Sequence, residues 1–473
     1  MPELIAQSRL HVPADEVFAW HERPGALDRL IPPWQDTRIL ERTGGLLDDD
    51  RVVLQLKKGP FRFRWVVRHF DYRANRRFCD EQTQGPFAEW VHEHDFLPQE
   101  ADGCVLRDRV RYRLPTGLVG DFVLDHFVRN ELRRVFLHRH RTVREDITRH
   151  RRFADRGPLR IVVTGASGLV GRALCAYLSG AGHTVLRMVR RAPRLDQPEI
   201  GWSPAAGSID RTALRDIDAV VHLAGENIAA GRWTDQRKQA IRDSRVRSTE
   251  LLARTLASLD RKPRVFIGAS AVGYYGQRGD VPIDESGTPG EGFLADVCQQ
   301  WEAAARSARD ADIRVVNLRL GMVLAAGGGA LAKMLTPFRM GMGGPIGSGD
   351  QPMSWIALED LVGCIEHALF DHTLEGPVNA TSPQPVSNRT FARTLGQVLR
   401  RPSVARVPAP AVRLLFGEMG TELLLEGVRA IPARLQAAGF EFLYPDLATA
   451  LRRELGLLDP ELERTAGTEI NFA

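Results

Sequence analysis

Residues 159–171 read LRIVVTGASGLVG, an apolar run followed by a glycine-rich turn and a second apolar segment. This pattern predicts a strand, a tight turn and the start of a helix. In that setting Gly165 permits the turn, Gly168 lets the backbone approach a pyrophosphate, and Gly171 allows helix and strand to pack closely. The stretch therefore predicts a dinucleotide site, and the alternative is a purely structural turn. The expected cofactor contacts here are Gly165, Ser167, Gly168, Leu169, Val170 and Gly171.

Two arginines follow the next predicted strand, which ends at Val189. An acidic residue at this place binds the ribose 2′-hydroxyl of NAD, whereas arginine suits the 2′-phosphate of NADP. We therefore expect Arg190 to bind that phosphate and NADP to be preferred over NAD. The alternative is a pair of solvated surface arginines.

A further apolar strand, 219–223, leads into a second glycine-containing loop. By its place in the fold this loop runs along the cofactor, and the expected contacts are Leu223, Ala224, Gly225 and Glu226. His222 is a conceivable base, but a histidine inside an apolar strand is more often packed and hydrogen-bonded.

The composition is that of a globular protein, with 43% hydrophobic residues in a chain of 473. No apolar stretch reaches the length of a membrane span, and the first residues carry no export pattern. The five cysteines lie far apart, which argues against a disulfide framework or a metal site and for a reducing compartment. We therefore expect a cytoplasmic protein with no metal site.

A net charge of +5 raises the question of a polyanionic partner. The densest basic stretch, 129–152, shares one predicted helix with Val128, Leu132, Val135 and Phe136, which recur at helical spacing. This pattern favours a core-packed helix with a solvated basic face over a polyanion-binding surface. No nucleic-acid partner is expected.

Three segments follow from the patterns along the chain. Residues 1–150 alternate in apolar character over several runs and end in the long helix, which predicts an α+β domain. Residues 158–387 alternate continuous apolar strands with helical patterns, which predicts an α/β domain built on a doubly wound parallel (Rossmann) sheet. Residues 388–473 predict a small, mainly helical C-terminal domain.

Several motifs together resemble the extended short-chain dehydrogenase/reductase superfamily, in its NAD(P)-dependent epimerase/dehydratase branch. They are TGASGLVG from Thr164, HLAG from His222, SAVGYYG from Ser270, LRLGMVL from Leu318 and WIALEDLV from Trp355. Residues 225–228, 244–246, 292–298 and 301–302 are similar to an uncharacterised subfamily of that branch, whose short C-terminal domain has no known role. The first segment, opening with VPADEVF, resembles the START and Bet v 1-like helix-grip fold.

The resemblance implies a catalytic Tyr-x-x-x-Lys pair, and this chain departs from it. Phe293 stands where the tyrosine is expected and Val297 stands four residues further on. Neither side chain moves a proton, so other groups are needed for acid–base chemistry. Ser270 and Tyr275 are the candidates, and the alternative for Tyr275 is an aromatic wall of the pocket. The other polar groups near the expected centre are Tyr274, Asp296, Cys298 and Glu302.

Three functions remain open from the sequence. The first is an NADP(H)-dependent oxidoreductase or epimerase-like enzyme acting on an unknown carbonyl or sugar-like substrate. The second is a non-catalytic NADP(H)-binding sensor or scaffold. The third is an apolar-ligand carrier, whose N-terminal aromatics either line a cavity or fill a solid core. These aromatics are Phe61, Phe63, Trp65, Phe87, Trp90 and Phe96.

Overall fold

Two burial patterns distinguish the strands of the two parts of the chain. Strands of the first part alternate between buried and half-buried residues, as in Glu3–Leu10 and Gly103–Arg113. Strands of the second part are buried almost throughout, as in Arg160–Thr164 and Ala219–His222. The first pattern belongs to an antiparallel sheet with one covered face, and the second to a parallel sheet covered on both.

The structure, a computed structural model, describes residues 1–100, 102–115, 117–459, 463–464 and 467–472, with the backbone alone for 117–123. These residues form two units. The first comprises residues 1–155, 179–182 and the described residues from Arg452 onward, and the second comprises residues 156–178 and 183–451. Across the described residues, no helix combines the length and the apolarity needed to cross a bilayer.

The first unit contains an antiparallel sheet flanked by helices. Its first seven strands are β1 (Glu3–Leu10), β2 (Asp36–Thr43), β3 (Arg51–Lys58), β4 (Phe61–Arg73), β5 (Arg77–Gln84), β6 (Glu89–Gln99) and β7 (Gly103–Arg113). Its helices are α1 (Ala14–Glu22), α2 (Ala26–Leu30) and α3 (Gly117–Arg151). Leu132, Phe136, Val143 and Ile147 of α3 are buried at helical spacing. The helix thus supplies one wall of the core, as the helix-grip resemblance implies.

The second unit contains a sheet in the order β11-β10-β9-β8-β12-β13-β15-β19, parallel except for the β10–β11 pair. The strands are β8 (Arg160–Thr164), β9 (Thr184–Val189), β10 (Glu199–Ser203), β11 (Ser208–Ile209), β12 (Ala219–His222), β13 (Val265–Ala271), β14 (Gly279–Ile283), β15 (Arg314–Leu320), β16 (Met322–Leu324), β17 (Pro352–Met353), β18 (Trp355–Ala357), β19 (Gly376–Ala380), β20 (Val386–Ser387) and β21 (Val428–Ala430). The chain leaves β8 for β9 on one side and later returns to β12 on the other. Such a reversal opens a crevice at the carboxyl ends of the strands. The predicted doubly wound sheet is confirmed.

Helices cover both faces of this sheet and follow it toward the C-terminus. They are α4 (Leu169–Gly180), α5 (Asp235–Ala257), α6 (Phe293–Ala303), α7 (Arg306–Arg309), α8 (Gly329–Arg339), α9 (Leu358–Phe370), α10 (Asn388–Leu399), α11 (Ala409–Phe416), α12 (Glu418–Gly420), α13 (Ala433–Ala437) and α14 (Leu447–Leu455). The C-terminal segment is mainly helical, as predicted.

The structure divides that segment differently from the predicted boundary at residue 388. Residues up to 451 belong to the second unit, where β21 pairs with β14 in parallel. The last strand, β22 (Thr468–Phe472), instead pairs antiparallel with β1 and becomes the edge of the first sheet. The physical reason is that β1 offers an unpaired edge that this short alternating segment fills.

Candidate functional site

The glycine turn after β8 is closed by its own backbone. Gly165 adopts φ +67°, a conformation that side chains with a Cβ rarely take, and a Cβ there would lie 2.8 Å from the Leu223 carbonyl. The N–H of Gly168 donates to the Gly165 carbonyl at 2.9 Å. The turn therefore needs glycine at its first position and lies directly against the loop that follows β12.

Gly171, at the start of α4, lies directly against the residues that leave β8. A Cβ on Gly171 would lie 2.2 Å from the Gly165 carbonyl oxygen. The first hydrogen bond into α4 runs from the Arg172 N–H to the Gly168 carbonyl, at 3.0 Å. The N–H groups of Leu169, Val170 and Gly171 precede it, and such first-turn groups have no acceptor inside a helix. With Ser167 and Gly168 exposed, this helix start is open to an anion.

Two arginines after β9 differ in what holds them. Arg191 donates to the Glu199 carboxylate at 2.6 Å and to the Ala192 carbonyl at 2.8 Å. This pairing holds the pKa of Glu199 below its usual value. Arg190 is exposed and, within the described part of the chain, makes no hydrogen bond or ion pair. Because β9 neighbours β8 in parallel, Arg190 and the glycine turn lie at the same edge of the sheet.

His222 is a packed histidine. It is fully buried, with Nδ1 2.7 Å from the Thr164 hydroxyl and Nε2 3.3 Å from the Ser248 hydroxyl. Burial lowers its pKa to about 3, so the imidazole stays neutral. The geometry agrees with the structural interpretation of this residue.

The loop after β12 is held in place by α5. The Glu226 N–H donates to the Ser244 hydroxyl at 3.0 Å, and Arg245 donates to the Glu226 carbonyl at 3.0 Å. A Cβ on Gly225 would lie 3.2 Å from the Arg245 guanidinium carbon, so the loop passes close over that side chain. In the sequence, Ser244 and Arg245 stood out only as part of a segment similar to the subfamily, and no contact with this loop was predicted for them. Their role is to position the stretch from Leu223 to Glu226.

Ser270 and Tyr275 are joined through an ion pair that the sequence did not predict. Ser270 donates to Glu302 at 2.7 Å, and Arg319 holds the same carboxylate with two bonds of 2.8 and 2.9 Å. Arg319 also donates to the Tyr275 hydroxyl at 3.0 Å, and that hydroxyl donates to Asn379 Oδ1 at 2.7 Å. The two predicted catalytic residues therefore share one network. This network was not predicted, because Arg319 lies within the apolar run of β15 and its partners are distant in the sequence.

Burial limits what Tyr275 does in this conformation. Its side chain is fully buried, and desolvation is the main cause that raises its pKa. Arg319 stacks over the neighbouring Tyr274 ring, 3.5 Å from its centroid. The geometry favours a wall and support role for Tyr275, and its catalytic role stays a prediction.

Phe293 and Val297, the positions where the resemblance implies the Tyr-x-x-x-Lys pair, lie in an apolar cluster. Phe293 and Val297 of α6 are buried with Trp233, Ile241 and Met419. The Phe293 and Trp233 rings lie 4.9 Å apart. No proton donor stands at either position.

A cavity of about 70 Å³ lies at the opposite edge of the second sheet. It is lined by residues at the amino ends of strands, among them Leu159, Asp218 and Arg264. Ligands of doubly wound sheets bind at the carboxyl ends. This cavity is therefore separate from the predicted dinucleotide site.

The aromatics of the first unit mostly pack against one another. Trp90 lies 5.1 Å from Trp65 and 4.9 Å from Phe87 between ring centroids, while Phe96 is fully buried in a second cluster. Phe61 and Phe63 are exposed. A cavity in this unit measures about 10 Å³, the room of about one water molecule, and His21, His94, Asp108 and His140 are among its lining. This packing favours the solid core over an apolar-ligand cavity.

Three family models match consecutive parts of the chain. The model described as NAD dependent epimerase/dehydratase family matches residues 161–379. The model described as polyketide cyclase/dehydrase and lipid transport matches residues 10–140, and a domain of unknown function matches residues 407–454. The predicted resemblances of the N-terminal and central parts are confirmed by these matches.

Relatives and solved structures extend the similarity. An epimerase family protein of Mycobacterium bovis is 47% identical over 291 residues, which cover 62% of this chain and 96% of that protein. The crystal structure of a nucleoside-diphosphate sugar epimerase from Corynebacterium glutamicum has a TM-score of 0.80 and 31% identity, covering 98% of this chain and 95% of that one. Human epimerase family protein SDR39U1, crystallised with NADPH, has a TM-score of 0.58 and 35% identity, covering 63% of this chain and 100% of that one. The chain therefore belongs to the NAD dependent epimerase/dehydratase family and joins that domain to an N-terminal START-like domain and a C-terminal domain of unknown function.

Proposed function

We propose that the second unit binds NADP(H) across the glycine turn and acts as an oxidoreductase or epimerase-like enzyme on a carbonyl or sugar-like substrate. The observation that carries this proposal is the pairing, at one sheet edge, of an open helix start with an arginine that lacks an internal partner. The NADPH bound to human SDR39U1, 35% identical, supports the choice of cofactor.

The chain's residues divide the binding of the cofactor between them. The N–H groups at the start of α4 hold the diphosphate, and Gly165 and Gly171 keep the turn tight enough to present them. Arg190 binds the 2′-phosphate. The loop from Leu223 to Glu226, fixed by Ser244 and Arg245, runs beside the cofactor.

Bound NADP(H) supplies hydride chemistry, and side chains of the protein must accept or donate the proton of the substrate oxygen. We propose that Ser270 orients a substrate oxygen and relays its proton: as the Ser270 oxygen takes the substrate proton, its own hydroxyl proton passes to the Glu302 carboxylate to which it already donates. Carbonyl reduction uses the same relay in reverse. Arg319 neutralises that carboxylate and holds Tyr275. Tyr275 acts as an acid only if it exchanges its bond to Asn379 for one to substrate.

A second candidate, a non-catalytic NADP(H) sensor, is favoured by one specific observation. The positions that carry proton transfer elsewhere in the superfamily are filled here by buried apolar side chains, Phe293 and Val297. Both candidates require the same cofactor site and differ only in turnover. We retain the cytoplasmic location as a proposal supported by five free thiols.

Arg190→Ser tests the cofactor, with Arg191→Ser as the matched neighbour. Losing a charged hydrogen bond to the 2′-phosphate weakens NADPH binding about tenfold or more, while NADH binding stays unchanged. Arg191 is already held by Glu199, so its replacement has a smaller effect on NADPH. Titration calorimetry with both cofactors measures this. Equal losses for NADPH and NADH would contradict the proposed role of Arg190.

Turnover separates the two candidates. We expect the wild-type chain to oxidise NADPH with at least one member of a carbonyl and sugar-nucleotide panel, followed at the NADPH absorbance. Ser270→Ala should lower that rate while NADPH still raises the melting temperature, because a ligand that binds the folded state stabilises it. A melting shift with neither NADPH oxidation nor an epimerised product from any member of the panel would favour the sensor.

A further inference from the structure

Four charged or titratable side chains meet inside the first unit, on three neighbouring strands. His92 and His94 lie two residues apart on β6 and therefore face the same side of the sheet. Asp80 of β5 is the register partner of His92, and Asp108 of β7 is the register partner of His94. His92, His94 and Asp108 are buried, with side-chain exposures of 2%, 7% and 5%.

One carboxylate oxygen faces both imidazoles at metal-ligand spacing. Asp80 Oδ2 lies 3.1 Å from His92 Nδ1 and 3.4 Å from His94 Nε2. The ligand atoms of the three residues all lie within 4.8 Å of one another. Ligands held about 2.0–2.1 Å from a tetrahedral zinc ion are about 3.3–3.4 Å apart. The longer of the two contacts exceeds an ordinary N–H···O hydrogen bond.

The second nitrogen of each imidazole faces the other carboxylate. His92 Nε2 lies 3.2 Å from Asp108 Oδ1 in hydrogen-bond geometry. His94 Nδ1 lies 2.7 Å from the same oxygen, but its direction does not make a hydrogen bond. Metal-ligating histidines commonly give their other N–H to a carboxylate, which fixes the ring orientation. Asp108 occupies that outer position for His92 and lies beside the corresponding nitrogen of His94.

A third histidine crowds the same outer carboxylate. His140 Nε2 lies 2.9 Å from Asp108 Oδ2 outside hydrogen-bond geometry, while its Nδ1 lies 2.9 Å from the Ser8 hydroxyl. Two buried imidazole nitrogens thus stand beside one carboxylate without a directed bond. Well-directed hydrogen bonds therefore cover only part of the contacts within the cluster.

We propose that Asp80, His92 and His94 bind a divalent transition-metal ion, with Asp108 lying behind both imidazoles and hydrogen-bonded to that of His92. Two imidazole nitrogens and one carboxylate oxygen form a donor set suited to zinc or iron rather than to magnesium or calcium. Three protein ligands leave a coordination position for water or another small ligand. The Asp80 side chain is 13% exposed, so the ion side of the cluster is not sealed. The site was not predicted from the sequence because the third ligand, Asp80, comes from a different strand than the two histidines.

The test uses the full-length protein without an affinity tag, stripped with a chelator and titrated with Co²⁺. We expect visible absorption bands of a low-coordinate Co²⁺ site that saturate at one equivalent, and their loss when Zn²⁺ is added. Asp80→Asn and His94→Gln should abolish the bands. Asp108→Asn should weaken Co²⁺ binding about 10–100-fold, the usual cost of an outer-sphere carboxylate.

Asp95→Asn is the matched control. The Asp95 side chain is as buried as that of Asp108 and follows His94 on β6, but it pairs with Arg77 and Arg107. It should keep the Co²⁺ bands. Circular dichroism and the melting transition of the first unit check that each variant is folded. The proposal is overturned if the wild-type protein gives no saturable Co²⁺ spectrum, or if folded Asp80→Asn keeps it.

Discussion

At the scale of single residues, some polar side chains of the second unit make all their hydrogen bonds to other side chains of the same unit. Tyr275 is the clearest case, since its hydroxyl both donates to Asn379 and accepts from Arg319. Among the described residues, the neighbouring Tyr274 hydroxyl makes no hydrogen bond. Two adjacent tyrosines therefore allow a comparison of a hydroxyl that supports the fold with one that does not.

Tyr275→Phe should lower the free energy of unfolding of the second unit by about 1–3 kcal/mol, because it leaves a buried amide oxygen without its donor. Tyr274→Phe should change it by less than about 0.5 kcal/mol. Urea unfolding with NADPH present measures both. A Tyr275→Phe variant of unchanged stability that has lost all turnover would instead identify Tyr275 as the catalytic acid.

His222 makes the second unit sensitive to acid. Its pKa is about 3 in the folded state, against 6.5 for an ordinary histidine, so the unfolded chain takes up a proton first as pH falls. The stability it contributes is fully present above pH 6.5 and decreases below it, by about 2 kcal/mol at pH 5. His222→Gln removes this dependence.

The wild-type minus His222→Gln difference in unfolding free energy should therefore shrink by about 2 kcal/mol between pH 7.5 and pH 5. His372→Gln, at an exposed histidine of the same unit, is the control. A difference that stays constant across this pH range would show that His222 is protonated inside the fold.

At the scale of elements, α6 shows why a catalytic pair cannot simply be restored. Val297 lies 2% exposed in the apolar cluster around Trp233, on the side of the helix that packs inward. Val297→Lys should destabilise the second unit by about 3–5 kcal/mol, because the ammonium is buried without a partner. Gln300→Lys, exposed on the same helix, should change stability by less than about 0.5 kcal/mol. Thermal unfolding of a Val297→Lys variant at the wild-type temperature would contradict this packing.

How much the sequence predicted also differs between elements. Continuous apolar runs located β8, β9, β12, β13 and β15, because a strand covered on both faces carries little else. The short strands β10 and β19 were missed, since Glu199–Ser203 and Gly376–Ala380 mix polar residues and glycine with apolar ones.

The candidate site was predictable where one local segment decides it. The spacing of its glycines predicted the turn, and the position of Arg190 directly after β9 predicted a contact with the cofactor. Arg319, by contrast, sits in the apolar run of β15, and its meaning depends on Glu302 of α6. Residues that come into contact only in the folded chain produce no periodic pattern in the sequence, so their pairing was not predicted.

At the scale of the whole molecule, the first unit depends on both ends of the described chain. β22 pairs with β1, and Glu463 binds Arg141 at 2.5 Å and Arg144 at 3.1 Å. Ending the chain after residue 459 should therefore lower the unfolding free energy of the first unit by about 3 kcal/mol or more. The NADPH-stabilised transition of the second unit should stay in place.

Differential scanning calorimetry with and without NADPH resolves the two transitions. Glu463→Gln, which keeps β22, serves as the milder control and should lower the first transition less than the truncation. If the shortened chain melted as the intact one does, β22 would be dispensable to the first sheet.

The pairing of β1 with β22 also has a consequence for synthesis on the ribosome. Some 350 residues separate β7 from β22 in the chain, and at translation rates of about 5–20 residues per second the nascent β1 edge waits roughly half a minute for its neighbour. An uncovered strand edge recruits other chains during such an interval. Chaperone occupancy on stalled nascent chains should accordingly persist until β22 has been synthesised.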